Sequence, residues 1–393
     1  MKINNETAQF IKEHIADNPS TLALQAKKYP EVDMPFAVTQ IIGRKIALEK
    51  VPSWGNMDGI IYPKHLSLEQ CSSEATARYK SSLAKGDTLV DITGGLGVDC
   101  AFLSANFKKA VYVERQNELC EIASLNFPLL GLPHINVVNG DGVDYLSQID
   151  KVDWLFVDPA RRNEQGGKVV AIADCEPDVA ELSELLVSKA NNVMIKLSPM
   201  LDLSLALHDL SFVKEVHVIS VANECKELLV ILSKESSEDR IPIYCVNILK
   251  NGDLQIYSFE KGDEQQGCAY SSEVARFLYE PNASILKAGA YKSIANTYKL
   301  NKFHPNSHLY TSDDSIMDFP GRKFECESVF SLNKKEVKAS IGNLKQANIT
   351  VRNFPSSVAE LRKRLKLSDG GDTYLFATTL ANDQKVIIKC HKF

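Results

Sequence analysis

The sequence predicts an α/β chain: a doubly wound, mostly parallel sheet finished by an antiparallel hairpin, preceded by a helical segment and followed by a smaller α+β module. Three observations predict it. Apolar runs of strand length alternate with helix-length stretches from residue 88 to residue 197, a glycine-rich turn sits where the first run ends, and two later runs, 215–221 and 228–232, are separated only by Asn223-Glu224-Cys225-Lys226-Glu227. Strand, helix, strand in repetition implies parallel strands covered on both faces. A connection as short as the last one permits only a hairpin.

Taken in order, residues 1–66 read as an amino-terminal helical segment ending in a loop punctuated by Val51-Pro52-Ser53-Trp54-Gly55 and Tyr62-Pro63. A helix is predicted over 67–84, with Ser67 and Gln70 spaced as a capping box. Strands at 88–92, 110–114, 135–138, 153–157 and 192–197 alternate with helices at 98–106, 116–126 and 178–190, so the sheet domain occupies 67–235. Apolar runs at 241–247 and 254–259 flank Lys250-Asn251-Gly252-Asp253, an Asn-Gly turn signal that makes 236–275 a β-hairpin extension. Residues 276–321 read as a polar, irregular linker or small subdomain with helix near 284–298. From 322 to 393 the order strand, helix (334–344), strand (348–353), helix (357–367) and two strands (373–380, 385–391) makes an α+β module of ferredoxin-like type.

At 393 residues the chain exceeds one average domain. Its nine cysteines are scattered, none at CxxC spacing, which points to free thiols and to no metal site. No run reaches the ~18 apolar residues a bilayer span requires, so no membrane association and a cytoplasmic location are expected. The net charge of −5 is unevenly spread: residues 276–393 hold 19 Lys and Arg against 11 Asp and Glu, a net of +8, which leaves −13 for residues 1–275. The basic end is suited to a polyanion and the acidic part is not.

The glycine turn, Asp91-Ile92-Thr93-Gly94-Gly95-Leu96-Gly97-Val98-Asp99, carries the chemistry. Such a turn lets backbone approach a ligand, and in a doubly wound sheet ligands sit beyond the carboxyl ends of the strands where strand order reverses. Glu114, Asp141 and Asp158 fall at the ends of the next three predicted strands. This series points to S-adenosylmethionine. Asp91, Thr93, Gly94, Gly95, Gly97 and Asp99 would surround its methionine part; Glu114, with Arg115 beside it, would accept both ribose hydroxyls; Asp141 and Gly142 would meet the adenine amino group. A dinucleotide fits less well, because Cys100 stands where its fingerprint needs a third small residue and no second half-site follows. A sulfonium cation also suits an acidic cleft better than a pyrophosphate does.

The fourth strand ends in Asp158-Pro159-Ala160-Arg161-Arg162. Methyl transfer is an in-line displacement, in which orientation alone supplies ~7–11 kcal/mol and a general base only ~10²–10⁴-fold. The lack of a histidine here is therefore no objection. Asp158 and Pro159 are the candidate catalytic residues that orient the acceptor. Arg161 and Arg162 are suited to a substrate phosphate, with a salt bridge of one of them to Asp174 or Glu176 as the alternative. Lys168, Lys196 and Ser198 would line the same mouth. In the tail, Arg362-Lys363-Arg364-Leu365-Lys366 reads as a basic helix whose Arg362, Arg364 and Lys366 contact phosphates while Leu361 and Leu365 pack inward.

Several of these segments, with Glu69-Gln70-Cys71-Ser72-Ser73-Glu74-Ala75-Thr76-Ala77, Val113-Glu114-Arg115 and Lys196-Leu197-Ser198-Pro199, together resemble class I S-adenosylmethionine-dependent methyltransferases with a THUMP-like carboxyl-terminal domain. Val351-Arg352-Asn353-Phe354-Pro355 and Leu367-Ser368-Asp369-Gly370-Gly371-Asp372 resemble that domain, and the likeness spans roughly residues 35 to 393. More distantly the central domain is similar to trimethylguanosine synthase-type RNA guanine-N2 methyltransferases, which carry Asp-Pro-Pro-Trp where this chain has Asp158-Pro159-Ala160-Arg161. The resemblance implies S-adenosylmethionine as cofactor, and by analogy RNA, a tRNA or rRNA base, as substrate. A small-molecule methyltransferase and a non-catalytic RNA-binding protein that retains the cofactor are the alternatives.

Overall fold

The structure, a computed structural model, describes residues 4–63, 65–161, 172–237 and 240–393. Arg162, Lys168 and the Gly166-Gly167 pair lie outside the described residues, as do the side chains of Ser67 and Arg161. The chain divides into two compact units, residues 1–215 with 227–238 and residues 216–226 with 239–393. Among the described residues no helix is long and apolar enough to cross a membrane.

The first unit begins with helices Asn5–Glu13, Pro19–Leu24 and Met34–Lys50, which enclose Phe10, Leu22, Met34, Ala37 and Ile41. Asn4, Asn18 and Asp33 cap them through side-chain oxygens, meeting amide donors that helix starts leave unpaired. The single helix predicted over 67–84 is two, His65–Gln70 and Glu74–Leu83. Ser73 is the N-cap of the second, accepting the Thr76 N–H at 3.3 Å, so Cys71 and Ser72 are left in a loop.

Five strands follow: β1 (Gly86–Asp91), β2 (Phe107–Glu114), β3 (Ile135–Asn139), β4 (Val152–Val157) and β5 (Ala190–Leu197). They are parallel, in the order β5-β4-β1-β2-β3. Strand order therefore reverses between β1 and β4. Strand Glu224–Leu232 runs antiparallel to β5, from Val193↔Leu232 to Leu197↔Leu228. Its apolar run is continuous because Leu228 to Leu232 are all fully buried. The turn before it is shorter than predicted: only Ala222 and Asn223, both at positive φ, connect it to strand Val213–Val221. Glu227 consequently belongs to the strand and is buried, not part of a polar loop.

In the second unit residues 216–221 pair in parallel with Pro242–Ile248, which forms the predicted hairpin with Leu254–Glu260 about Gly252 at φ 89°. A second sheet has the order 301–302, 310–312, 277–281, 321–330, 385–392, 373–379, 348–351. The segment read as an irregular linker thus holds a strand, Phe277–Pro281, hydrogen-bonded on both sides. Residues alternate between two cores along Thr373–Thr379: Phe376 joins Phe303, Phe324 and Ile388, whereas Leu375 and Ala377 join Ile341, Leu361 and Ile387. Glu280, 3% exposed in its side chain, bridges Arg322 and Arg352 and so ties strand 277–281 to the elements that follow.

Candidate cofactor and acceptor site

A cleft of about 370 Å³ opens at the carboxyl ends of β1, β2 and β4, where strand order reverses. The turn after β1 is held open by its own hydrogen bonds. Gly94 N–H donates to Val113 O at 2.9 Å, Gly97 N–H to Gly94 O at 2.9 Å, and the buried Tyr112 hydroxyl to Gly95 O at 2.5 Å. Side chains are excluded at two of its glycines: a Cβ on Gly94 would stand 2.3 Å from the Tyr112 ring, and Gly97, at φ 83°, would meet Phe127 at 2.9 Å. Gly142 is equally constrained, its missing Cβ lying 2.1 Å from Ile92 O. The backbone is therefore exposed to whatever fills the cleft.

Glu114 lines the cleft at the end of β2. One oxygen accepts Gly95 N–H at 2.8 Å and the other Gln116 N–H at 2.7 Å, so each keeps an acceptor position for a ligand. Asp91, 1% exposed, accepts Thr93 N–H at 2.9 Å. Burial pushes its carboxyl up to about 8; the Thr93 bond opposes this, and the negative charges of Asp99, Asp158 and Glu114 add to it. Thr93 also joins the two strand ends, its hydroxyl accepting Asp158 N–H at 2.7 Å.

Three predicted cofactor ligands are otherwise engaged. Asp141 caps helix Gly142–Gln148, one oxygen accepting from Val143 at 2.8 Å and Asp144 at 2.9 Å, while the other takes the Arg115 guanidinium twice, at 2.7 and 2.5 Å. All four acceptor positions are filled, which leaves none for an adenine amino group. Helix-start amides and Arg115 together hold this carboxyl below the usual range. Arg115 lines the cleft and bridges Asp141 and Glu176 (2.6 Å) with its side chain 54% exposed.

Asp99 borders the cleft, but its carboxylate points into a buried row of charges. Lys80, fully buried, lies 3.0 Å from Asp99 and donates to Glu227 at 2.7 and 2.9 Å and to Ser72 Oγ at 2.9 Å. The Ser72 hydroxyl donates to Asp99 at 2.7 Å. Lys196 stands 3.7 Å from Asp99 and donates to Asp158 Oδ2. Burial works against charge on Asp99, yet Lys80 and Lys196 outweigh it and hold the carboxyl low. Burial likewise lowers Lys196, and Asp158, Asp99 and Glu227 more than reverse that, keeping it a cation. Lys196 is therefore the partner of Asp158, not a ligand for substrate phosphate. Ser198 accepts Met200 N–H at 3.3 Å within its own turn.

Asp158 and Ala160 line the cleft, with Pro159 between them, beside Gln70 at the end of helix His65–Gln70 and Cys71 and Ser72 in the loop that follows it. Ala160 and Arg161 form a two-residue ladder with Cys175 and Glu176, and Glu176 pairs with Arg115. Lys80, Glu227 and Ser72 are the residues sequence reasoning missed. The only signal was the motif segment 69–77, whose Ser72 reaches a partner 27 residues away.

In the tail, helix Val358–Leu365 buries Leu361 and packs Leu365 as expected. Lys366 lies beyond the helix end at φ 57°, so the face expected from the 362/366 spacing does not form. Arg362 pairs with Asp369 and donates to Ala347 O at 3.2 Å; Arg364 donates to Leu332 O at 3.1 Å. Lys363, Arg364 and Lys366 remain exposed.

Residues 277–320 match a ferredoxin-like domain family and residues 321–392 a THUMP domain-like family. Along its whole length the chain is similar to a proposed methyltransferase of Porphyromonas gingivalis W83, with 35% identity, 100% of both chains covered and a TM-score of 0.89. TrmK of M. capricolum, solved with S-adenosyl-homocysteine, shares 16% identity over 41% of this chain and 68% of its own, with a TM-score of 0.32. An rRNA methylase of Streptococcus thermophilus shares 14% over 40% and 94%, with a TM-score of 0.31. No curated protein matches. The full-length correspondence decides the matter: the chain belongs to the family of the Porphyromonas gingivalis protein, with a methyltransferase fold followed by ferredoxin-like and THUMP-like segments.

Proposed function

We propose that the protein is an S-adenosylmethionine-dependent methyltransferase acting on structured RNA. The observation that carries the cofactor reading is the cleft itself: a glycine cradle at the switch point, closed to side chains at Gly94, Gly97 and Gly142, with a carboxylate at the end of β2 that retains free acceptor positions. Thr93 to Gly97 would hold the methionine part through backbone groups, and Glu114 would hold the ribose. Because Asp141 is saturated, the adenine end would rest on Gln116, Leu119, Gly142 and Val143. When bound, the cofactor supplies an electrophilic methyl group on a cationic sulfur. Asp158, its backbone anchored to Thr93 and one oxygen anchored to Lys196, would accept a hydrogen bond from the acceptor and orient it. Pro159 shapes the turn that presents this carboxylate. The RNA reading is supported by the THUMP-like match and by the +8 charge of residues 276–393.

Calorimetry tests the cofactor reading. The purified protein is expected to bind S-adenosylmethionine, and Glu114→Ala to weaken binding more than tenfold, since hydrogen bonds to a charged acceptor contribute ~1.5–3 kcal/mol each. Unchanged affinity would remove the ribose role. Mass spectrometry of nucleosides in total RNA from a deletion strain tests the substrate: one methylated nucleoside should disappear and return on complementation. An unaltered RNA profile would overturn the RNA reading.

A further inference from the structure

The buried row that begins at Glu227 alternates in sign at every step: Glu227, Lys80, Asp99, Lys196, Asp158. From Lys80 onward exposure rises toward the cleft, the five side chains being 4, 0, 9, 12 and 35% accessible in that order. Stability gives no reason for such a row, because well-packed apolar side chains often replace buried ion pairs without loss of fold. Its geometry does give one. Lys80 spends its three donors on the two Glu227 oxygens and Ser72 Oγ, which places its ammonium 3.0 Å from Asp99 Oδ1 as an ion pair. Asp99, fixed by Lys80 and Ser72, stands beside the Lys196 ammonium, and Lys196 holds Oδ2 of Asp158. The Asp158 backbone is fixed independently by Thr93. Only one oxygen of Asp158 carries no protein hydrogen bond among the described residues. An in-line transfer depends on placing the acceptor to within fractions of an ångström.

Resting on the methyltransferase reading above, we propose that Lys80 and Glu227 are positioning residues for methyl transfer: through Asp99 and Lys196 they fix the Asp158 carboxylate that receives the acceptor. Neither touches the cleft. Lys80→Met with Glu227→Gln removes one charge of each sign and keeps the buried balance. Full-length protein labelled with [4-¹³C]aspartate reports Asp158 directly, its carboxyl resonance being assigned by its loss in Asp158→Asn. The double variant should shift that resonance and bind S-adenosylmethionine within threefold of wild type. With bulk RNA from a deletion strain and radiolabelled cofactor, its kcat should fall tenfold or more while KM stays within threefold. Should the double variant not fold, Ser72→Ala, which deletes the hydroxyl between Lys80 and Asp99 without changing charge, is expected to shift the same resonance and lower kcat about threefold. An Asp158 resonance that stays in place in the folded variant, or a wild-type kcat, overturns the inference. Wild-type protein that binds the cofactor but labels no RNA would overturn the RNA reading instead, and the resonance would still decide the coupling.

Discussion

The two units each bury a cluster of charges, the first enclosing both signs, with Glu227 and Asp99 at 4 and 9% exposure beside its cations, and the second a single anion. In the first, the cations Lys80 and Lys196 are enclosed at 0 and 12% exposure, and the anion Asp158 emerges at the cleft. In the second, the anion Glu280 is enclosed at 3% while its partners Arg322 and Arg352 are 36 and 38% exposed. A buried ammonium that loses its partners finds no water to replace them, whereas a guanidinium at the surface does. The first cluster is thus the more fragile and has an open end suited to chemistry. The second is a closed staple across strands of one sheet.

The largest effect should come from breaking the first cluster on one side. Lys80→Met leaves Asp99 and Glu227 buried without their shared cation, and the first unit should lose about 3–5 kcal/mol in denaturant unfolding. Glu280→Ala should cost about 1.5–3 kcal/mol, read from hydrogen exchange along Phe277–Pro281, because its arginines resolvate. A loss in the second unit equal to that in the first would break the contrast.

Asp91 sharpens the comparison through pH. Its folded value of about 8 stands above its ordinary value of 3.8, so between those limits the folded state holds a proton that the unfolded state has released. Stability must fall as pH rises through that window, at about 1.4 kcal/mol per pH unit for one proton. Asp91→Asn should remove this slope and keep the acceptor for Thr93 N–H. Urea unfolding at pH 5, 6 and 7 decides it, and parallel slopes for both proteins would show Asp91 to be ionised throughout.

The smallest effect concerns the tail. Arg362 is occupied by Asp369 and Arg364 by Leu332 O, so among the described residues the cations of this segment without a partner are Lys363 and Lys366. Replacing both with alanine should leave stability unchanged and lower the logarithmic salt slope of bulk-RNA binding by about one to two units. Fluorescence anisotropy across a salt series measures it, and an unaltered slope would remove this face from the RNA surface.

The legible parts were local. Strand and helix periods, the Asn251-Gly252 hairpin and the glycine turn were read correctly because each depends on backbone preferences within a few residues. Helix continuity at 71–73 and strand Phe277–Pro281 were misread, because a serine cap interrupts one apolar pattern and long-range pairing creates the other element.

By itself the sequence determined the sheet order's ingredients, the position of the cradle and the carboxylates at the strand ends. Tertiary structure alone decided which of those carboxylates are free. Asp141 and Glu114 look alike as strand-end acids, yet Arg115 and a helix start saturate one and leave the other open. Lys80 and Glu227 lie 147 residues apart and look like surface charges until the fold brings them together. The reason is range: backbone conformation is set by neighbours in the chain, whereas the partner of a buried charge is set by whatever the folded core places within about 3 Å of it.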